Sequence, residues 1–211
     1  MAAIVAASHA ADSAADVTAN RIASLAAFAA AALGLGYAVS FLVLRSATLA
    51  ALCLMLGGLA TTAVMAALRE RLAPAGPVLA RWGTMLVVVG ALGALVHGGT
   101  DLANALHPPA ATNADQPSAI DPRGLLTFGA SGLGLAGVAV LLGRTRGFPR
   151  PLTLVGLLSA ALSLALYLGR LIVLDPTSPI VALPAVAEGF VVAPLWYAWL
   201  GVALRRGTLH G

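Results

Sequence analysis

Six stretches of this chain, residues 22–44, 47–68, 82–106, 124–143, 151–174 and 178–204, are near-continuous runs of Leu, Ala, Val and Gly, and the first, second and fourth carry no charge. In a helix each residue adds about 1.5 Å, so about 20 residues cross the roughly 30 Å of hydrocarbon in a bilayer. All six runs reach that length. In hydrocarbon every backbone N–H and C=O must find its partner inside the protein, which leaves helices or a closed barrel. A barrel would alternate apolar and polar residues over segments of about ten, and these runs do not. The expected fold is therefore all-α, a polytopic transmembrane bundle of six helices within residues 21–206. It would be flanked by a weakly ordered leader, 1–20, and a short tail, 207–211.

Composition agrees and removes several functions. With 60% hydrophobic residues, 9% charged and a mean hydropathy of +0.94, the expected partner is the lipid bilayer. A net charge of +4 would suggest nucleic acid in a soluble chain. Here the basic residues sit at the ends of apolar runs, so they read as topology signals and no nucleic acid is expected. All 12 of them are arginine, which rules out a retinal Schiff base on lysine. Cys53 alone gives neither an intramolecular disulfide nor a cysteine metal site.

The arginines also orient the chain. Arg21, Arg69, Arg71, Arg81, Arg144, Arg146, Arg150, Arg205 and Arg206 fall on one side, and Arg45, Arg123 and Arg170 on the other. That asymmetry predicts a cell-membrane protein with both termini cytoplasmic and residues 107–123 outside. The leader has no basic segment and carries Asp12 and Asp16, so it is not expected to be a cleaved signal peptide. Small residues such as "LGGLATT" and "GASGLGLAG" predict close helix packing, and with no preceding strand the latter is not a nucleotide fingerprint.

The stretch "ALVHGGTDLANALHPP" puts His97 and Asp101 four residues apart within the third run. Counting from the run ends, His97 and Glu188 lie about 15 Å deep, and Asp101 and Arg170 about 6–8 Å deep. His97, Asp101 and Asn104 share one helix face, as do Ser159, Ser163, Tyr167 and Arg170 on the fifth run. Pro184 and Pro194 should bend the sixth run around Glu188. Intramembrane charges cost about 2.5–3.5 kcal/mol each on insertion scales, so they pair or face a wet cavity.

One reading is an outward-facing pocket of His97, Asp101, Asn104, Tyr167, Arg170 and Glu188 that binds, translocates or senses a small solute or proton. In it Arg170 pairs with Asp101, and His97 shares a proton with Glu188. The alternative is a structural or assembly subunit, joined to protein partners or to its own copies, whose charges only fix packing. Lesser readings are a divalent metal held by His97, Asp101 and Glu188, and a hydrolase using Ser163, His97 and Asp101, which lacks an activating turn. No cofactor is expected, since His9, His107 and His210 lie at or beyond the run ends and cannot complete a bis-histidine haem. "PLWYAW", with Trp196, Tyr197 and Trp199, is expected in an interfacial aromatic belt.

Overall fold

The computed structural model describes residues 2–107, 123–173, 175 and 177–206, with side chains from Thr18 onward. Among these residues there is no strand, and the chain is a succession of helices: α1 (Ala2–Ala38), α2 (Ala47–Leu72), α3 (Pro77–Leu106), α4 (Ser131–Arg144), α5 (Arg150–Val173), α6 (Pro179–Ala187) and α7 (Ala193–Arg206). Three π-helical turns interrupt or extend them, at Val39–Val43 after α1, Leu125–Ala130 before α4, and Glu188–Val192 between α6 and α7. With those turns included, six helices are long and apolar enough to cross a membrane. The alanine-rich leader is taken into α1, which begins at Ala2; residues 207–211 lie outside the described residues.

Local chemistry sets the ends. Ser46 caps α2, its hydroxyl accepting from the Leu49 amide at 3.4 Å. Pro77 and Pro179 open α3 and α6, where the missing N–H is no loss. Gly147 takes φ +96° in the turn from α4 to α5, a conformation that L side chains rarely adopt. Ahead of α6, the Thr177 hydroxyl and amide donate to Asp175 at 2.7 and 2.8 Å.

Each span packs against the next in chain order, and α7 returns to α1. The larger buried side chains gather at one end. Met65, Leu68 and Leu72 of α2 meet Leu141 and Leu142 of α4, Leu152 of α5 and Trp196, Leu200 and Leu204 of α7. This is the end carrying both α2–α3 and α4–α5 connections and the close of α7, where the Ser24 hydroxyl also donates to the Gly201 carbonyl at 2.8 Å. Towards the opposite end, the buried positions of α2 and α3 are small residues such as Ala50, Ala51, Ala91 and Ala94. Large apolar side chains, among them Val78, Leu154 and Ile172, point outward, as a lipid-facing surface requires.

Backbone contact between neighbours depends on glycine. A Cβ at Gly134 of α4 would stand 2.6 Å from the Gly83 carbonyl oxygen and 2.7 Å from the Val87 nitrogen of α3. One at Gly58 of α2 would stand 2.6 Å from the Ala91 carbonyl oxygen. Carbonyls held by their own helices cannot retreat, so larger residues there force the spans apart.

Gly134→Val is therefore expected to lower stability by about 1–3 kcal/mol, the usual cost of overpacking. Gly99→Ala, where no atom stands within 4 Å, is expected to be neutral or slightly stabilising. Thermal unfolding of the detergent-solubilised variants checks the contrast. At the α5–α6 turn, the Thr177 hydrogen bonds hold the Asp175 carboxyl below its ordinary value. Because the folded value is the lower one, this contribution is present above the unfolded value and is lost as pH falls through the folded one. Thr177→Val removes the hydroxyl and should raise the Asp175 titration midpoint, read by carboxyl carbon NMR.

Candidate functional site

Two separate groups of polar residues surround the carboxylates of the spans, Asp101 and Glu188. On α3 the i, i+4 spacing brings His97 and Asp101 onto one face, with His97 Nε2 3.6 Å from Asp101 Oδ2. Arg123, just before the fourth span, closes the group. Its Nη1 donates to Asp101 Oδ1 at 3.2 Å and to the His97 carbonyl at 3.4 Å. Tyr37 of α1 lies within electrostatic reach of the same aspartate. The Asp101 side chain is 40% exposed, so this pair sits at the rim of the helices rather than in their interior.

This arrangement corrects the expected pairing of Asp101 with Arg170. Arg170 is exposed on α5 and forms no ion pair among the described residues, while Asp101 takes Arg123. Depth counting matched Arg170 to Asp101 because it treats helices as parallel rods and ignores which of them are neighbours. The third span packs on the second and fourth and has no extensive interface with the fifth. A signal for the true partner was present: Arg123 opens the adjacent fourth span at the same end. Asn104, on the expected face, is exposed, and Tyr167 is half-buried with its ring against Gly129.

The second cluster surrounds Glu188, the first residue of the π-turn between α6 and α7. Pro184 lies inside α6 and Pro194 in the first turn of α7, so a missing amide donor brackets the carboxylate on both sides. The expected break in this span therefore falls where the carboxylate is. A π-turn inserts an extra residue into the helix, a distortion frequent at functional sites. Ser159 and Ser163, one turn apart and both buried on α5, donate to Glu188 Oε1 at 2.5 and 3.4 Å. Oε2 is buried and has no hydrogen-bond partner among the described residues. Glu188 thus faces the serine stripe of α5 rather than the expected His97, whose Nε2 lies 3.6 Å from Asp101 Oδ2.

Below Glu188, Tyr197 lies within its electrostatic reach, and the Thr61 hydroxyl of α2 donates to the Tyr197 oxygen at 3.2 Å. Trp196 is wholly buried, its ring edge-on to Tyr197 at 4.8 Å and its Nε1 close to Gly156 of α5. That corrects the expectation of an interfacial belt for Trp196; the residue is core, and no alternation along "PLWYAW" distinguishes the two roles. Tyr197 is likewise drawn inward, leaving Trp199 nearest the span end.

Among the described residues no three His, Cys, Asp or Glu side chains gather as a metal site. His97, Asp101 and Glu188 therefore do not form the donor set that their depths allowed. Ser163 donates to Glu188, so the arrangement does not assemble Ser163, His97 and Asp101 into a hydrolytic triad. What the two clusters can do is distinct: the rim group holds a carboxylate between two potential cations, and the deep group holds a carboxylate among hydroxyls alone. The chain matches no family model, no curated protein and no solved structure.

A double-mutant cycle tests the rim pair. Asp101→Asn and Arg123→Gln should be non-additive in stability by about 0.5 kcal/mol or more, as for residues in contact. Asp101→Asn and Arg170→Gln should be additive within experimental error.

Proposed function

We propose that the chain is an integral membrane protein that takes up a proton, or a small solute offering a hydrogen-bond donor or positive charge, at Glu188 in the membrane interior. Transport or sensing follows from that exchange. The observation that carries this reading is the asymmetry of the carboxylate: two serines serve Oε1, and Oε2 is buried with no partner. A buried carboxylate with a vacant oxygen is a costly arrangement for packing alone. A bound proton or donor supplies the missing hydrogen bond. The π-turn and the two prolines add backbone freedom at the same point, so exchange at Glu188 can be coupled to a change in the bend of the sixth span.

In this reading the termini and the arginine-rich end face the cytoplasm of a cell membrane, as the charge asymmetry favours. His97, Asp101 and Arg123 then lie on the outer side, about 14 Å or less from the end of α3, and form an entrance rather than part of the deep site. Asn104 and Arg170 belong to that outer surface, and Tyr167 is half-buried beneath it. The same rim pair favours a second reading, in which the charges tie the third and fourth spans of a structural subunit together.

Glu188→Gln separates the two, because the amide keeps hydrogen-bonding capacity but cannot exchange a proton. The expected outcome is unchanged thermal stability with loss of a pH-dependent tryptophan fluorescence change, Trp196 lying on the same span. The neighbouring phenol is controlled for by Tyr197→Phe. Retention of the full fluorescence response in Glu188→Gln, or no response in the unaltered chain, would favour the structural reading.

A further inference from the structure

One face of α5 carries Leu152, Gly156, Ser159, Ser163, Tyr167 and Arg170, positions that fall within about 80° of one another around the helix. Glu188 meets this face at Ser159 and Ser163, and the face differs on the two sides of that contact. Towards the arginine-poor end it is polar. Tyr167 stands one turn beyond Ser163, half-buried with its ring against Gly129 of the segment that Arg123 opens, and Arg170 beyond it is exposed. Towards the arginine-rich end it is closed. A Cβ at Gly156 would stand 2.6 Å from Trp196 Nε1, so the wholly buried indole is seated on the backbone one turn below Ser159. Leu152 follows, also wholly buried. The Thr61 hydroxyl, which donates to Tyr197, ends in the same packing: below it on its own face of α2 come Met65, Leu68 and Leu72, all wholly buried.

We propose that Glu188 exchanges its proton with one side of the membrane only, through the α5 hydroxyls that lead to the arginine-poor surface, and that the chain therefore senses protons there without conducting them. This rests on proton uptake at Glu188 as read above and narrows its consequence from transport or sensing to sensing. A relay group accepts one proton and releases another, which serine and tyrosine hydroxyls do and an indole N–H, a donor only, does not. On the polar side a hydroxyl recurs at each turn of α5, at a rise of about 5.4 Å that one bridging water spans. A proton from water at the arginine-poor surface enters at Tyr167, and each hydroxyl accepts one and passes its own on. The last comes to rest on the Glu188 carboxylate, and release runs the same steps backwards, leaving every hydroxyl as it began. Past Trp196 a proton would have to cross Met65, Leu68, Leu72 and Leu200, which carry no relay group, as an uncompensated charge in an apolar medium. Among the described residues, the other titratable groups on the helices packed against this π-turn are Tyr37 of α1, in reach of Asp101, and Tyr197 of α7, in reach of Glu188. The remaining charged groups of those helices, Arg21, Arg150, Arg205 and Arg206, lie at the arginine-rich end.

The test uses the full chain in phosphatidylcholine vesicles with a pH dye trapped inside, sorted by the accessibility of a C-terminal affinity tag so that either end of the bundle faces the medium. Infrared difference spectra across a pH step in the medium read the Glu188 carboxyl as the band missing from Glu188→Gln. The band should follow the medium when the arginine-poor end faces it and stay unchanged when the arginine-rich end does. The trapped dye should report no proton flux above that of empty vesicles. Tyr167→Phe should slow the Glu188 response about tenfold or more, as expected on removal of a proton-transfer group. Thr153→Val removes a buried hydroxyl on the closed side of the same helix and should leave the rate unchanged. An equal response from both faces, a response from the arginine-rich face alone, or flux above empty vesicles would overturn one-sided exchange and leave uptake at Glu188 standing. Equal rates in Tyr167→Phe and Thr153→Val would overturn the route along α5. No Glu188 band from either face would overturn the uptake reading, and this inference with it.

Discussion

The backbone of a helix in hydrocarbon has to satisfy its own hydrogen bonds, and the rest of this structure follows from how strictly that is obeyed. Where the ladder is regular, side chains are free to be small, and helices approach until carbonyl oxygens of one touch the Cα surface of the next. Gly58 against Ala91 and Gly134 against Gly83 are such contacts. Where the ladder of the sixth span changes to a π-turn, the chain holds the carboxylate of Glu188, one oxygen of which is buried.

The two ends of the helices have correspondingly different textures. At the arginine-rich end, leucines, Met65 and Trp196 fill the space between spans, and a core of that kind resists rearrangement. Towards the other end alanines and glycines close the gaps, and all three π-turns lie in that half or at its boundary. In the proposed reading, a span that bends at Glu188 moves α6 while α7 stays packed against α1.

The depth of a charge and the identity of its partner are different kinds of information. Counting residues from the run ends placed Glu188 deep and Asp101 near the surface, because rise per residue is fixed by helix geometry. Serine spacing on α5 likewise marked a polar stripe, and Ser159 and Ser163 do face a carboxylate. The partners were another matter. Equal depth made Arg170 a candidate for Asp101 and His97 for Glu188, yet each acidic residue pairs with a group on the helix that packs beside it.

The sequence by itself determined that the chain is helical, that six of its helices are long and apolar enough to cross a membrane, and that the sixth breaks near Glu188. Hydrophobic run length, proline and helical rise are local properties, and each acts within a few turns of the residue concerned. Only the tertiary structure decided that Arg123 closes on Asp101, that Trp196 is core and that Glu188 faces two serines with one oxygen left over. Those outcomes depend on which helix faces which. That order is set by small-residue contacts spread over every interface, and in a chain so rich in alanine and glycine many alternative contacts share the same local pattern.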